Sequence, residues 1–419
     1  MTSYAVPPSA ARLTSSLRDV GYDFHSAIAD LVDNSIAAGA SQVDVEIVFD
    51  GEESYVTIAD NGGGMSANGV QEALRFGSRR DYAQGDLGRY GLGLKTASLS
   101  HARAVTVVTR SAAGVVTART LDLDLIAEWD EWLIVDPGAT TPVSRAKRKL
   151  EKGRSTCVIW ERLDRALPER NPEGGWARRR LQSLADRTAE HLSMVFHRFL
   201  IDPKRLRLEV NGRRLDPWDP YAQSEKRTRE LTPMTFEAET PDGHVGTVHL
   251  DRYILPSREQ FSSLGEFERM SGPLKWNRQQ GLYIYRANRL VQWGGWAGTR
   301  ALDEHTKLAR AALRFDTDLD VLFNTNVAKM RVSLPGNVKQ PITPALTELA
   351  QAAGHEYRRA NRMRTAEPGT GAPAGIDRES LLALRVAALA AGEKEALDRI
   401  FAKLRRDNPQ LAQAMGLDF

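Results

Sequence analysis

The sequence predicts a mixed α/β fold of the α+β sandwich kind, and three observations predict it. Apolar residues at helical spacing over residues 22–38 give way at once to strict alternation over residues 43–49, and the same exchange of periods recurs as far as residue 200. From there to about residue 335 strand patterns dominate. The segment 377–415 is rich in Ala, Leu, Glu, Lys and Arg, the composition of helix.

Each element has its own justification. Ala27, Ile28, Leu31, Val32 and Ile36 recur near the helical period, and Gly39 stands where a helix would stop. Val43, Val45, Ile47 and Phe49 alternate with polar residues, as on a half-buried strand. Asp50-Gly51 is a turn signal, and residues 55–59 form the returning strand. Helix is expected at 68–76 and 95–101, with a loop rich in Gly, Arg and Asp over 76–88. Strands are expected at 104–110, 115–123 and 156–161, and a long helix at 176–199. Beyond it come strands at 206–210, 246–255, 281–291 and 327–334, with a hairpin signal at Asn211-Gly212. Residues 367–375 read as a flexible linker, since Pro and Gly punctuate them. We expect domains at 1–200 and 201–345, then a linker and helical tail over 346–419.

Composition narrows the function classes. With 419 residues, 42% hydrophobic and 26% charged, the chain has an ordinary globular composition. Its 57 Lys and Arg against 54 Asp and Glu leave a net charge of +3, which by itself does not call for nucleic acid. The single Cys157 excludes an internal disulfide and a multi-cysteine metal site, and its strand setting predicts a core position. No apolar run approaches the roughly 20 residues of a membrane span, and residues 1–16 show no secretory pattern. We expect a cytoplasmic protein with no membrane partner.

Three short segments carry the chemistry. Asp30 and Asn34 lie one turn apart on one helix face, so a carboxylate and an oxygen ligand there can orient a water and hold Mg²⁺. A solvated polar face would look the same, and Asp33 reads equally as a surface acid. Asp60 ends a strand and is followed by Gly62, Gly64 and Met65. A carboxylate there can accept a hydrogen bond from an exocyclic amino group such as adenine N6, and glycines let the backbone approach a base. Alone, this stretch is simply a turn. Gly88, Arg89, Tyr90, Gly91, Leu92 and Gly93 precede a helix beginning near Leu94, where backbone N–H groups cradle phosphate, with Lys95 as a charge beside them. The spacing is neither a Walker loop nor a dinucleotide fingerprint.

In this order the three segments resemble those of the GHKL ATPases, the superfamily of type II topoisomerase ATPase subunits, MutL, the ninety-kilodalton chaperones, sensor histidine kinases and MORC proteins. Asp30 to Asn34 is similar to the N box, Asp60-x-Gly62-x-Gly64 to the second box, and Gly91-x-Gly93-Leu94-Lys95 to the third. Gly153 to Thr156 is similar to the later Gly-Thr box. The resemblance covers roughly residues 15–345. It implies a Bergerat-type ATPase domain and a ribosomal-protein-like α/β transducer domain of the MORC and MutL branch. It implies ATP and Mg²⁺ as cofactors, with Asn34 on the metal, Asp60 and Thr156 on adenine, and Met65 under the base. By the same resemblance the loop 77–87 is an ATP lid, Asp30 orients the attacking water, and Lys329 reaches the γ-phosphate from the second domain. Residues 281–291 are similar to a strand–Asn-x-Arg–strand signature of that domain. An ATP-dependent homodimer acting on DNA, with DNA-processing partners, is implied as well. Two positions depart from the pattern: Asp30 stands where Glu is usual, and Ala37 replaces the usual acid three residues after Asn34. Mg·ATP binding is therefore expected, with slow hydrolysis; a non-hydrolysing ATP-gated interaction module is the alternative.

Two basic clusters remain, at Arg145, Lys147, Arg148, Lys149, Lys152 and Arg154, and at Arg178 to Arg180. They read either as DNA-phosphate contacts or as solvated faces. Trp276, Trp293 and Trp296 read as core or interface residues rather than base-stacking platforms, and His25 and His101 as structural.

Overall fold

The structure is a computed structural model and describes residues 4, 8–19, 21–77, 93–168, 173–324, 332–366, 378–407, 412 and 417. Two compact units divide the chain, Met1–Tyr357 and Arg358–Phe419.

The first unit begins with α1 (Ala10–Arg18), α2 (Phe24–Ala37), β1 (Gln42–Val48), β2 (Tyr55–Asp60), α3 (Ala67–Leu74) and α4 (Gly93–Leu99). It continues with β3 (Ala104–Arg110), β4 (Val116–Asp122), α5 (Leu123–Trp129), α6 (Thr141–Glu151) and β5 (Thr156–Glu161). Next come α7 (Gly175–Val195), α8 (His197–Leu200), β6 (Arg207–Val210) and β7 (Arg213–Arg214). The strands form a seven-stranded sheet in the order β4-β3-β5-β2-β1-β6-β7, antiparallel except where β1 meets β6.

Period-two alternation decides which helix each strand residue meets. Val45, Ile58, Val107 and Val158 face the layer holding Ile28, Leu31 and Val32 of α2, Ala97 of α4 and Leu192 of α7. Ala59, Val108, Cys157 and Ile159 face Val143, Ala146 and Leu150 of α6 instead. Strands covered on both faces show no exposed residue, as β2 does. The first basic cluster is thus largely a helix that the charge run concealed. Thr140 caps its N-terminus, and its apolar residues recur at three- and four-residue spacing.

A second sheet follows. Its strands are β8 (Arg229–Glu239), β9 (Val245–Ile254), β10 (Gly281–Arg286), β11 (Arg289–Gln292) and β12 (Ala309–Phe315), with α9 (Leu264–Met270) and α10 (Lys275–Gln279) between β9 and β10. The order is β11-β10-β12-β9-β8. One face, with Leu250, Ile284 and Leu313, packs on α11 (Gly336–Ala366) through Val338, Ile342, Leu346 and Leu349. The other face, with Tyr253, Tyr283 and Tyr285, packs on Met194 of α7 and on Tyr221. In the second unit, α12 (Arg378–Ala390) and α13 (Lys394–Asp407) form the expected tail helices, with Phe401, Ala412 and Leu417 as a small core.

The expected limits differ from these elements in two places. A boundary at residue 200 falls ahead of β6 and β7, which complete the first sheet by pairing β6 with β1. One at residue 345 falls inside α11, whose Leu346, Leu349, Ala350 and Ala353 are part of the second core. Neither β8, β12 nor α11 was foreseen. The linker 367–375, most of the lid 77–87 and most of the strand 327–334 lie outside the described residues.

Candidate functional site

The site assembles where α2 crosses the ends of β2, β3 and β5. Hydrogen bonding puts Asp60 and Thr156 side by side, since β2 and β5 pair in that register. The Asp60 carboxylate is buried. Its Oδ1 accepts from the Gly62 N–H at 2.9 Å, and its Oδ2 from the Ser35 hydroxyl at 3.1 Å. Burial pushes its pKa up; the Gly62 N–H, Ser35 and the Arg154 charge act against that. Thr156 Oγ1 lies 2.9 Å from Thr109 Oγ1, and Thr109 in turn accepts the Met65 N–H at 3.0 Å. One polar chain therefore ties the loop after β2 to β3 and β5.

The glycines of that loop act partly by another route than close approach to a base. Gly64 has a φ of +64°, and a Cβ there would lie 1.9 Å from the Arg110 carbonyl oxygen. At Gly62 it would lie 2.8 Å from the Ala38 carbonyl oxygen, at the end of α2. Loop and helix end are packed backbone to backbone. Asn61 adds to this, accepting N–H bonds from Ser41 and Gln42 at 2.9 and 2.8 Å.

Along α2, Asn34 is half-buried, and its carboxamide makes no hydrogen bond to any described residue. Asp30, one turn away, is 2% exposed. Its Oδ2 accepts the Tyr22 hydroxyl at 3.1 Å, and its Oδ1 faces Arg289 Nη2 at 3.3 Å. Burial, then Asp30 itself, hold the Tyr22 hydroxyl well above its ordinary pKa. Asp33, read from sequence as a possible surface acid, is fully buried and pairs with Arg289 Nε at 2.8 Å. Tyr22, Asp33, Ser35, Thr109 and Arg289 thus join the site, and the motif reading assigned a site role to none of them. The one signal was Arg289, which directly follows Asn288 within the stretch 281–291.

Lys95 is 1% exposed. Nζ donates to the carbonyls of Ala73 and Arg75 at 3.0 and 2.7 Å, capping the end of α3. Burial pushes its pKa down to about 8. An α3 end left with open carbonyls attracts the nearest cation, and α4 carries Lys95 there. Gly93 and Leu94 open α4, and a Cβ on Gly93 would come within 3.9 Å of Asp30 Oδ2, so the start of α4 faces the acid. Gly88, Arg89, Tyr90, Gly91, Leu92 and Lys329 lie outside the described residues.

The donor set suits one kind of metal. Among the described residues no cluster of three or more His, Cys, Asp or Glu could hold an ion. A carboxamide oxygen beside buried carboxylates fits Mg²⁺, which takes oxygen ligands and leaves positions for substrate phosphates and water.

The other sequence candidates fall into structural roles. His101 lies edge-on to Phe24, and burial lowers its pKa to about 4. His25 lies against His191. Trp296 is in the second core, Trp276 stacks on Phe267, and Trp293 meets His191 of α7. Of the first basic cluster, Arg145 donates to the Tyr55 hydroxyl, Lys149 pairs with Glu46 and Arg154 with Asp44. Cys157 is fully buried. Among the described residues no helix is long and apolar enough to cross a membrane.

Residues 22–152 match the family described as histidine kinase-, DNA gyrase B-, and HSP90-like ATPase. This stretch runs from Tyr22 through the end of α6, holds Asp30, Asn34 and Asp60, and is similar to the GHKL-type ATPase domains of that family. Among named relatives, Protein MICRORCHIDIA 5 of Arabidopsis thaliana is 36% identical over 92 residues, 20% of this chain and 13% of that protein. ATPase morc-1 of Caenorhabditis elegans is 33% identical over 93 residues, 22% of this chain and 11% of that protein. Protein MICRORCHIDIA 1 of Arabidopsis thaliana is 33% identical over 103 residues, and the match spans 16% of its length. Each match therefore covers a small part of the relative. A solved structure titled "Crystal Structure of N terminal domain of a DNA repair protein" aligns over 86% of this chain and all of its own, with a TM-score of 0.48 and 16% identity.

Proposed function

We propose that this protein binds Mg·ATP at the end of α2 and hydrolyses it slowly, and that nucleotide state drives lid closure and dimerisation in a DNA-directed process such as repair, chromosome maintenance or antiphage defence. One observation carries the binding reading: Asp60 and Thr156 are paired across β2 and β5 and tied to α2 by Ser35, next to Asn34. In this reading Asp60 accepts from adenine N6, Thr156 contacts the base through its hydroxyl, and Met65 lies beneath it. The half-buried Asn34 oxygen is the protein's ligand to Mg²⁺, which would neutralise phosphate charge when bound. Asp30 accepts a hydrogen bond from the attacking water. Residues 88–95 line the phosphates and Lys329 meets the γ-phosphate, as the motif resemblance implies. The second sheet serves as the transducer.

A non-hydrolysing, ATP-gated interaction module is the second reading. Asp30 is one methylene shorter than Glu and is already engaged by Tyr22 and Arg289, which favours it. Single-turnover ATP hydrolysis by wild type, Asp30→Glu and Asp30→Asn separates the two. Wild type should exceed Asp30→Asn by roughly a hundredfold, the usual worth of a positioned base. Equal rates would leave only the binding module. Loss of calorimetric Mg·ATP binding in Asp60→Ala is expected in both cases, and retained binding would remove the site altogether.

A further inference from the structure

We propose that Arg289 is a positioning residue, through which the second sheet holds the Asp30 carboxylate in place for hydrolysis. The inference rests on the reading that Asp30 orients the attacking water.

Arg289 opens β11 in the second sheet, yet its guanidinium, 4% exposed, lies on α2 of the first layer. Nη2 is 3.3 Å from Asp30 Oδ1 and Nε is 2.8 Å from Asp33 Oδ2. The other Asp30 oxygen accepts from Tyr22. Both oxygens are thus engaged from two sides, which leaves the carboxylate little freedom to turn. The charge balance gives the same result. Two buried carboxylates less than one turn apart are costly without a counter-charge, and among the described residues Arg289 reaches both.

The hairpin carrying Arg289 is stiff. Ala287 and Asn288 both have positive φ, 46° and 68°, as a tight two-residue turn between β10 and β11 demands. Across that turn Arg286 is paired with Arg289 in register. Arg286 is buried and makes a two-pronged bond to Asp320, at 2.5 and 2.6 Å. One arginine of the hairpin therefore clamps it to its own layer, and the other reaches Asp30. A shift of the second sheet relative to α2 must carry the Asp30 carboxylate with it or break the pair. Asp60 and Thr156 are not in this chain of contacts, so adenine binding should be insensitive to it.

The test is steady-state ATP turnover by the full chain, with affinity for a fluorescent ATP analogue measured separately, for wild type, Asp30→Asn, Arg289→Met, Arg289→Lys and Asp33→Asn. Arg289→Met should fall to the Asp30→Asn rate, with analogue affinity within about twofold of wild type. Arg289→Lys restores the charge without the planar fork, and should recover part of kcat at an unchanged KM. If Arg289→Met does not fold, Arg289→Lys and Asp33→Asn decide. A loss of kcat of about tenfold at constant affinity in either supports the proposal. Wild-type kcat in both, or kcat and affinity falling together, overturns it, because a merely structural pair would damage both or neither. A wild type no faster than Asp30→Asn overturns the hydrolysis reading and this one with it. Wild-type turnover in the Arg289 variants removes this one alone.

Discussion

Replacing Gly64 by Ala should cost the fold about 3 kcal/mol or more, whereas the same change at Gly63 should cost almost nothing. The magnitude comes from two parts. Gly64 is left-handed at φ +64°, where an L-residue costs about 1–2 kcal/mol. The added methyl would also stand 1.9 Å from the Arg110 carbonyl oxygen, against a practical minimum near 3.0 Å. No rotamer relieves a Cβ, so the loop must retreat by roughly 1 Å from the end of β3, and the overpacking adds about 1–3 kcal/mol. That retreat pulls the Met65 N–H off Thr109 and loosens the chain of bonds to Thr156. Gly63 has no left-handed φ, and its nearest neighbour to a new Cβ is the Ala38 carbonyl oxygen at an ordinary 3.7 Å. Gly63→Ala should stay within about 0.5 kcal/mol of wild type, with a small gain from the stiffer unfolded chain. Urea denaturation reads stability, and calorimetry with Mg·ATP reads the site. Gly64→Ala should lower the midpoint clearly and weaken nucleotide binding by at least tenfold. Equal midpoints and equal binding for the two variants would refute the reasoning, because the loop would then not be packed against β3.

Two further perturbations follow. Lys95 titrates near 8 in the fold against 10.5 in a free chain, so the unfolded state binds more protons between those values and stability should rise with pH there. Its contribution should improve by about 2 kcal/mol from pH 7.5 to 9.5, read as a difference in urea stability from Lys95→Met, which lacks that slope; parallel slopes for the two proteins would contradict the burial of Lys95. For DNA, the exposed Lys147, Arg148 and Lys152, which make no ion pair with described residues, are the members of the first cluster left to meet phosphate. Replacing all three by Ala should reduce the slope of log affinity against log salt by up to about 3 in a duplex-binding titration, and an unchanged slope would remove this face from DNA contact.

Much of the local structure that carries the candidate residues is legible in the sequence because it depends on near neighbours. Asp30 and Asn34 share a helix face by the 3.6-residue period, and α2 covers nearly the expected residues. Asp60 ends a strand whose alternation and flanking turn signals were plain, and β2, β3 and β5 follow closely where the patterns placed them. The helix α6 was missed because charged residues fill its exposed face and leave only Val143, Ala146 and Leu150 to show the period. The strand β8 was missed because it is an edge strand with most of its residues exposed, so little alternation marks it.

Asp33 and Lys95 show where such reading stops. Nothing local distinguishes a buried aspartate from a surface one on a polar helix face; Asp33 is buried because Arg289, 256 positions away in the numbering, supplies its counter-charge. Nothing in the sequence around Lys95 shows that its ammonium reaches α3 carbonyls about twenty residues earlier. Periodicity, turn chemistry and glycine conformation are properties of neighbouring residues, and from them the amino-acid order alone determined α2, β1, β2, β3 and β5. Which charges meet, which way a long side chain turns and which layer reaches the Asp30 carboxylate depend on desolvation and counter-charge between distant segments, and only the tertiary structure decided those.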